Sequence, residues 1–343
     1  MTGDTYRTID MHTAGEPVRI IVEGHPELVG ATILEKRRDA QEHYDHIRRR
    51  LMLEPRGHPE MYGVIPTKPS HPGADLAVLF THNSGYSTMC GHATIAIGRW
   101  AIEHGIVTPK GEGALAEFTL ECPCGPVRIL AQREGKLVRR VEFDSVPAFA
   151  SHLDHKVTTR DFGTVSYDIA YGGAFYAILP ASRLGLSMFD TKLRDLIAAA
   201  TDFTAQLRRD VAITHPSEPD LSFLYGTILT CDAASGAPSH NLCIFGEGQV
   251  DRSPTGSGVT ARVALDHAKG LMKPGMRRDF IGLSGDPFSG EMVGEARAGD
   301  RPAVIVRVGG QAFYSGTSTF TVEPEDPLRD GLALPERMRE LWR

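Results

Sequence analysis

Two short segments of this sequence place protic side chains where they could meet a ligand. One is Ser87-Thr88-Met89-Cys90-Gly91-His92-Ala93-Thr94-Ile95-Ala96. The other is Asp251-Arg252-Ser253-Pro254-Thr255-Gly256-Ser257-Gly258-Val259-Thr260-Ala261. Each places a protic side chain, Cys90 or Thr255, directly before a glycine at what reads as a helix N-terminus. Such a terminus presents unbonded N–H groups and the positive end of the helix macrodipole. A thiol there is expected to have its pKa lowered toward thiolate, and the neighbouring N–H groups can hold a carboxylate. Gly91 and Gly256 would let that ligand approach the backbone closely. Taken singly, Cys90 reads as an inert core thiol and Ser-Pro-Thr-Gly-Ser-Gly as a turn into a helix. The matched pair points instead to two half-sites closing over one small anionic ligand.

The elements that must position these segments alternate between strand and helix. Residues 17–22 read as a strand rich in β-branched side chains, residues 36–53 as a charged helix, and residues 76–81 as an apolar strand. Ala93 to His104 sets Ala93, Ile97, Trp100 and Ala101 on one helical face, with Gly105 as a stop. Strands are expected between 115 and 143, near 164–179, 223–230 and 241–246, and over 291–297, 303–308 and 312–321. Helices are expected near 191–209 and from Gly256. The weakly patterned stretch 144–163 suggests a boundary, which divides the chain into lobes at 1–155 and 156–322 and a tail at 323–343 that could pack back on the first lobe.

Composition narrows the function classes. The chain has 343 residues, 41% apolar and 23% charged, and a net charge of −6. That is ordinary for a globular protein of about two domains. The mild acidity argues against a nucleic-acid partner, which needs a basic face. No apolar run reaches the ~18 residues of a membrane span, and no secretory leader is evident at the start. Five cysteines form an odd, sparse set that suits a reducing, cytoplasmic setting. Cys122-Pro123-Cys124 has the wrong spacing for a zinc knuckle.

These motifs, in this order, resemble the proline racemase family, which includes 4-hydroxyproline 2-epimerases. The resemblance runs over nearly the whole length. It includes Ile9-Asp10-Met11-His12-Thr13-Ala14-Gly15-Glu16-Pro17, Glu54-Pro55-Arg56-Gly57-His58 with Met61-Tyr62-Gly63, and Ala312-Phe313-Tyr314-Ser315-Gly316. Met89-Cys90-Gly91-His92 and Asp251 through Gly258 are its most specific pieces. The resemblance implies a mixed α/β fold like that of diaminopimelate epimerase, with two similar lobes and a cleft between them. It also implies no pyridoxal phosphate or metal, so no cofactor, and a homodimer as the family's habit. In the family's racemases two cysteines face the α-carbon from opposite sides. Cys90 matches the first, whereas the second falls on Thr255. Ligand contacts carried over are Gly91, His92, Asp251, Gly256 and Ser257.

The threonine sets the expected reaction. A threonine hydroxyl is too weak an acid for two-base inversion near neutral pH, and the adjacent sequence offers no obvious activating base. One strong base, Cys90, then remains, and one base suffices if the β-carbon carries a leaving group. The cysteine–threonine pairing resembles the family's dehydrating members and implies loss of water from trans-3-hydroxy-L-proline, through an enamine, to Δ1-pyrroline-2-carboxylate. Asp251 would take the ring ammonium and His92 would tune the thiolate. The alternatives are 4-hydroxyproline epimerase or proline racemase, and a non-catalytic binding protein for proline-like imino acids. A cysteine hydrolase is disfavoured, since residues two apart on a helix do not face each other.

Other candidates carry blander readings. His12 and Glu16 flank a short glycine-containing turn. His43 and His46 lie on an arginine-rich helical face, and His240 near Cys243 lacks further metal ligands. Cys122, Cys124, Cys231 and Cys243 read as core or edge residues and Asp232 as a turn residue. Phe223-Leu224-Tyr225 is a candidate wall of the ring pocket.

Overall fold

The computed structural model describes residues 3–111, 113–231 and 238–332. Asp232 and most of its loop lie outside that set. The first half runs β1 (Asp4–Thr13), β2 (Glu16–Glu23), α1 (Ile33–His43), α2 (Asp45–Met52), β3 (Tyr62–Thr67), β4 (Leu76–His82), β5 (Gly85–Ser87), α3 (Gly91–Glu103), β6 (Leu115–Cys122), β7 (Gly125–Glu134) and β8 (Leu137–Asp144). The second runs β9 (Phe149–Thr159), β10 (Gly163–Tyr171), β11 (Phe175–Pro180), α4 (Leu193–Asp210), β12 (Leu224–Cys231), β13 (Ser239–Phe245), β14 (Gln249–Val250), α5 (Gly256–Ala268), β15 (Arg277–Ile281), β16 (Pro287–Ala298) and β17 (Arg301–Gly310). The last strand, β18 (Ala312–Val322), returns to the first half and pairs antiparallel with β1.

The pairing order is the same twice over. One half reads β18-β1-β2-β3-β4-β6-β7-β8. The other reads β9-β10-β11-β12-β13-β15-β16-β17. In both, neighbours are antiparallel except at two joins, β2–β3 and β4–β6 in the first, β11–β12 and β13–β15 in the second. A parallel pair needs a long crossover, and the helices supply it: α1 and α2, then α3, in the first half, and α4, then α5, in the second. An antiparallel β8–β17 pairing joins the halves. The mixed α/β class expected from sequence is the class observed.

Helices α3 and α5 are the structural centre. Each is 13 residues long, and nearly every side chain in both is buried. A helix apolar all round belongs inside, and the small residues Gly91, Ala93, Ala96 and Gly98 let α3 lie close to the strands. A Cβ on Gly98 would meet Val141 Cγ1 at 2.6 Å.

Three expectations change. The helix expected over 36–53 is two helices, because Tyr44 (φ −126°, ψ 12°) caps the end of α1 and the start of α2. The weakly patterned 144–163 contains β9, whose middle residues are exposed and so lack apolar alternation. A division at 155/156 would cut β9, and residues 312–322 pair with the first half's sheet, not the second's. Residues 323–332, beyond β18, lie against α2 and the turn after it, and the rest of the tail expected at 323–343 lies outside the described residues. Arg50 pairs with Asp330 and Asp4, Arg56 bonds the carbonyls of Leu328 and Arg329, and Leu332 N–H reaches the Glu54 carbonyl. No helix among the described residues is long and apolar enough to cross a membrane.

Candidate active site

Cys90 is the N-cap of α3, in extended backbone (φ −143°, ψ 108°). Its carbonyl accepts both the N–H and the hydroxyl of Thr94, at 3.0 and 2.7 Å, and Ala93 N–H points at its sulfur, 3.4 Å away. The preceding turn is pinned to the second half by the Thr88 hydroxyl, which donates to the Gly173 carbonyl at 2.7 Å. Because Cys90 caps the helix from outside it, its side chain folds back over the first turn. Its sulfur lies 3.2 Å from His92 Nδ1. The expectation that these two residues do not face each other therefore fails, since it holds only for residues both inside a helix.

The His92 ring is buried, and burial lowers its pKa to about 3 against a weaker opposing bond to the Pro17 carbonyl. The imidazole is thus neutral, with the Pro17 carbonyl as one partner and the Cys90 sulfur within 3.5 Å of both ring nitrogens. Burial also pushes the Cys90 thiol well above its usual range. Ala93 N–H and the Tyr62 hydroxyl pull the other way, and the carboxylates of Asp251 and Glu16 add to the rise. The thiol pKa is raised, against the lowering expected, because burial of the sulfur outweighs the helix terminus.

Thr255 caps α5 with φ 63° and ψ 93°, a left-handed backbone that is costly for a β-branched residue. Asp251 and Ser253 hold it there. The Thr255 hydroxyl donates to Asp251 Oδ2 at 2.8 Å, Thr255 N–H to Ser253 Oγ at 3.1 Å, and Ser253 N–H to Asp251 Oδ1 at 2.8 Å. Burial raises the Asp251 pKa to about 6, and these hydrogen bonds moderate the rise. A carboxylate thus stands directly on the threonine hydroxyl, a partner four residues away that the sequence reading did not pair with it. Ser257 Oγ is 2.7 Å from the Tyr176 hydroxyl.

The two helix starts abut. A Cβ on Gly91 would lie 2.4 Å from Gly256 Cα, so only glycine lets the backbones meet. Cys90, Gly91, His92, Asp251, Thr255, Gly256 and Ser257 all line one pocket, together with Tyr62, Met89, Tyr176, Tyr225 and Phe245. Its free volume is about 10 Å³, roughly one water's worth. Of the wall expected at 223–225, only Tyr225 reaches the pocket. Tyr62 and Tyr176, which sequence reasoning missed as pocket residues, sit on the strands β3 and β11. Tyr62 falls inside the Met61-Tyr62-Gly63 motif, the one signal that could have found it.

Glu16 does not line the pocket but is buried behind it. Its Oε2 accepts Arg252 N–H at 2.8 Å, Oε1 has no partner, and burial with the nearby Asp251 charge pushes its pKa well up. His12 stacks on Phe313 at 5.5 Å, His43 pairs with Asp39, and His240 meets Phe189 edge-on. A larger cleft of about 850 Å³ lies among Asp168, Arg262 and Arg278 and contains none of the seven residues. All five cysteines are free thiols. Among the described residues no group of three or more His, Cys, Asp or Glu could hold a metal ion.

Comparison with known proteins adds an independent line. The description "Proline racemase" matches residues 8–333. The trans-L-3-hydroxyproline dehydratase of Bos taurus is 50% identical over 331 residues, covering 95% of this chain and 94% of that protein. A hydroxyproline epimerase from Agrobacterium vitis, crystallised with trans-4-hydroxy-L-proline, superposes with a TM-score of 0.90 at 26% identity, covering 97% of this chain and 96% of that one. A probable proline racemase from Agrobacterium radiobacter K84, with bound carbonate, gives the same TM-score at 28% identity and 96% coverage of both.

Proposed function

The chain belongs to the proline racemase family, and we propose that within it the protein is a hydro-lyase that dehydrates trans-3-hydroxy-L-proline to Δ1-pyrroline-2-carboxylate. One observation carries this reading: Cys90, a thiol, and Thr255, a hydroxyl, are the N-cap residues of two abutting helices around one pocket. Relatives from Bos taurus, Homo sapiens and Colwellia psychrerythraea, which match over most of the chain, carry the name of that dehydratase.

The Cys90 thiolate removes the α-proton. The electron pair left on the α-carbon expels the 3-hydroxyl as water, giving an enamine that tautomerises to the cyclic imine. In the trans isomer the α-hydrogen and the hydroxyl share one ring face, so the elimination is syn and both depart on the Cys90 side. The carboxylate sits against N–H groups of Gly91, His92, Gly256 and Ser257, where two helix dipoles favour the charge growing in the enolate-like transition state. Asp251 takes the ring ammonium. That cation favours ionised forms of Asp251 and Cys90 and offsets the burial that keeps the thiol protonated in the closed site. Neutral His92, 3.2 Å from the sulfur, accepts a hydrogen bond from the thiol and steadies its direction.

Thr255 holds the far face. Its hydroxyl donates to Asp251 and orients the carboxylate, and the pocket lining holds no cysteine besides Cys90. Incubation with trans-3-hydroxy-L-proline, trans-4-hydroxy-L-proline and L-proline in D2O, followed by NMR, tests the reading. Imine from the 3-hydroxy compound alone is expected. Deuterium incorporation with inversion at the α-carbon of the other two would replace dehydration with epimerisation.

A further inference from the structure

We infer that Tyr62 is a further catalytic residue, the general acid that protonates the departing 3-hydroxyl. The inference rests on the dehydration reading and refines it. Loss of hydroxide from carbon is slow without a proton donor, and in the syn geometry the donor must stand on the Cys90 face. On that face the first half contributes Tyr62, Met89, Cys90, Gly91 and His92 to the pocket. Met89 and Gly91 have no acidic side-chain proton. Cys90 is occupied with the α-hydrogen, and neutral His92 bonds the Pro17 carbonyl and turns toward the sulfur. Of the first half's side chains Tyr62 alone remains, with Tyr225 of the second half beside it.

Its placement suits the task. The ring is buried and wedged edge-on against His92, with centroids 4.7 Å apart, and stacked on His82 at 5.8 Å. The phenol interacts with Cys90 and Ser87, and Tyr225 belongs to the same cluster. Ser87 is itself tied to the Met89 carbonyl at 2.9 Å. Burial holds the phenol protonated, as an acid waiting for a leaving group must be. The protons balance. Cys90 thiolate takes the α-hydrogen, and Tyr62 O–H gives its proton to the hydroxyl oxygen as the C–O bond breaks. The phenolate then recovers a proton from the Cys90 S–H, which regenerates the thiolate and releases enamine and water.

Tyr62→Phe removes one oxygen and keeps the ring packing. It should slow dehydration of trans-3-hydroxy-L-proline by about 10²-fold or more in kcat, with an unchanged thermal midpoint. On trans-3-fluoro-L-proline the leaving fluoride needs little protonation, so Tyr62→Phe should run within about threefold of the unaltered protein, by the same general-acid logic. Equal loss on both substrates would assign Tyr62 a structural role, and no loss on the hydroxy compound would remove it from the chemistry; either result overturns the inference. If the unaltered protein eliminates neither group, the dehydration reading fails, and this role fails with it.

Discussion

Gly91 and Gly256 meet backbone to backbone: a Cβ on Gly91 would fall 2.4 Å from Gly256 Cα, and one on Gly256 would fall 2.6 Å from Gly91 Cα. The contact sets the distance between Cys90 and Thr255, because each is the residue before one of these glycines. Gly91→Ala should push the two helix starts apart and cost about 1–3 kcal/mol of stability, as overpacked cores do. Activity should fall further than stability, since the carboxylate seat is split between the helices. Thermal unfolding and steady-state rates on the same preparation check both; a Gly91→Ala variant of normal rate would mean that the spacing does not matter.

Cys90→Ser keeps a side-chain acceptor for Ala93 N–H and removes the thiolate. Dehydration should drop by at least about 10²-fold with the fold intact, read as imine formation by NMR beside a circular dichroism melt. Full activity in this variant would end the thiolate-base mechanism.

Thr255→Cys places a second thiol across the pocket. Deuterium incorporation with inversion at the α-carbon of trans-4-hydroxy-L-proline should become detectable, where the parent protein should show none. Thr255→Gly tests a different property of the same position. With φ at 63°, glycine relieves about 1 kcal/mol of backbone strain, set against loss of the bond to Asp251. A large drop in melting temperature would show that the hydroxyl bond outweighs the strain.

Asp251 should leave a mark on the pH dependence of stability. It titrates at 3.8 in the unfolded chain and at about 6 in the fold. Between those values the native state binds the proton more tightly, so the stabilisation is complete below about pH 3.8 and is lost as pH rises through about 6. The loss is about 3 kcal/mol. Asp251→Asn still accepts Ser253 N–H and should flatten that slope in urea titrations between these pH values. It should also raise KM, because a neutral amide cannot pair with the ring ammonium.

The two helix starts are legible in sequence because a protic residue, a glycine and a run of small residues form a local pattern. What acts on them is not local in the same sense. The Cys90–His92 contact depends on the extended backbone of a cap, and the Asp251–Thr255 bond depends on a left-handed threonine that no propensity favours. Tyr62 is hidden for another reason: β3 is buried over its first four residues, so nothing in its pattern separates a pocket side chain from a core one. Strand β9 lacks alternation because much of it faces solvent, and the return of β18 to β1 joins residues at opposite ends of the chain.

That return has a consequence for how the molecule is made. The Thr255 half is one continuous stretch, β9 through β17, and can complete its sheet as soon as it leaves the ribosome. The Cys90 half lacks its outer strand until β18, which follows the whole of the other half, has been made. Moved to the front of the chain, next to Asp4, β18 would turn the protein into two uninterrupted copies of one plan. The natural order is a circular permutation of that tandem, which ties the first half to a strand made after the second.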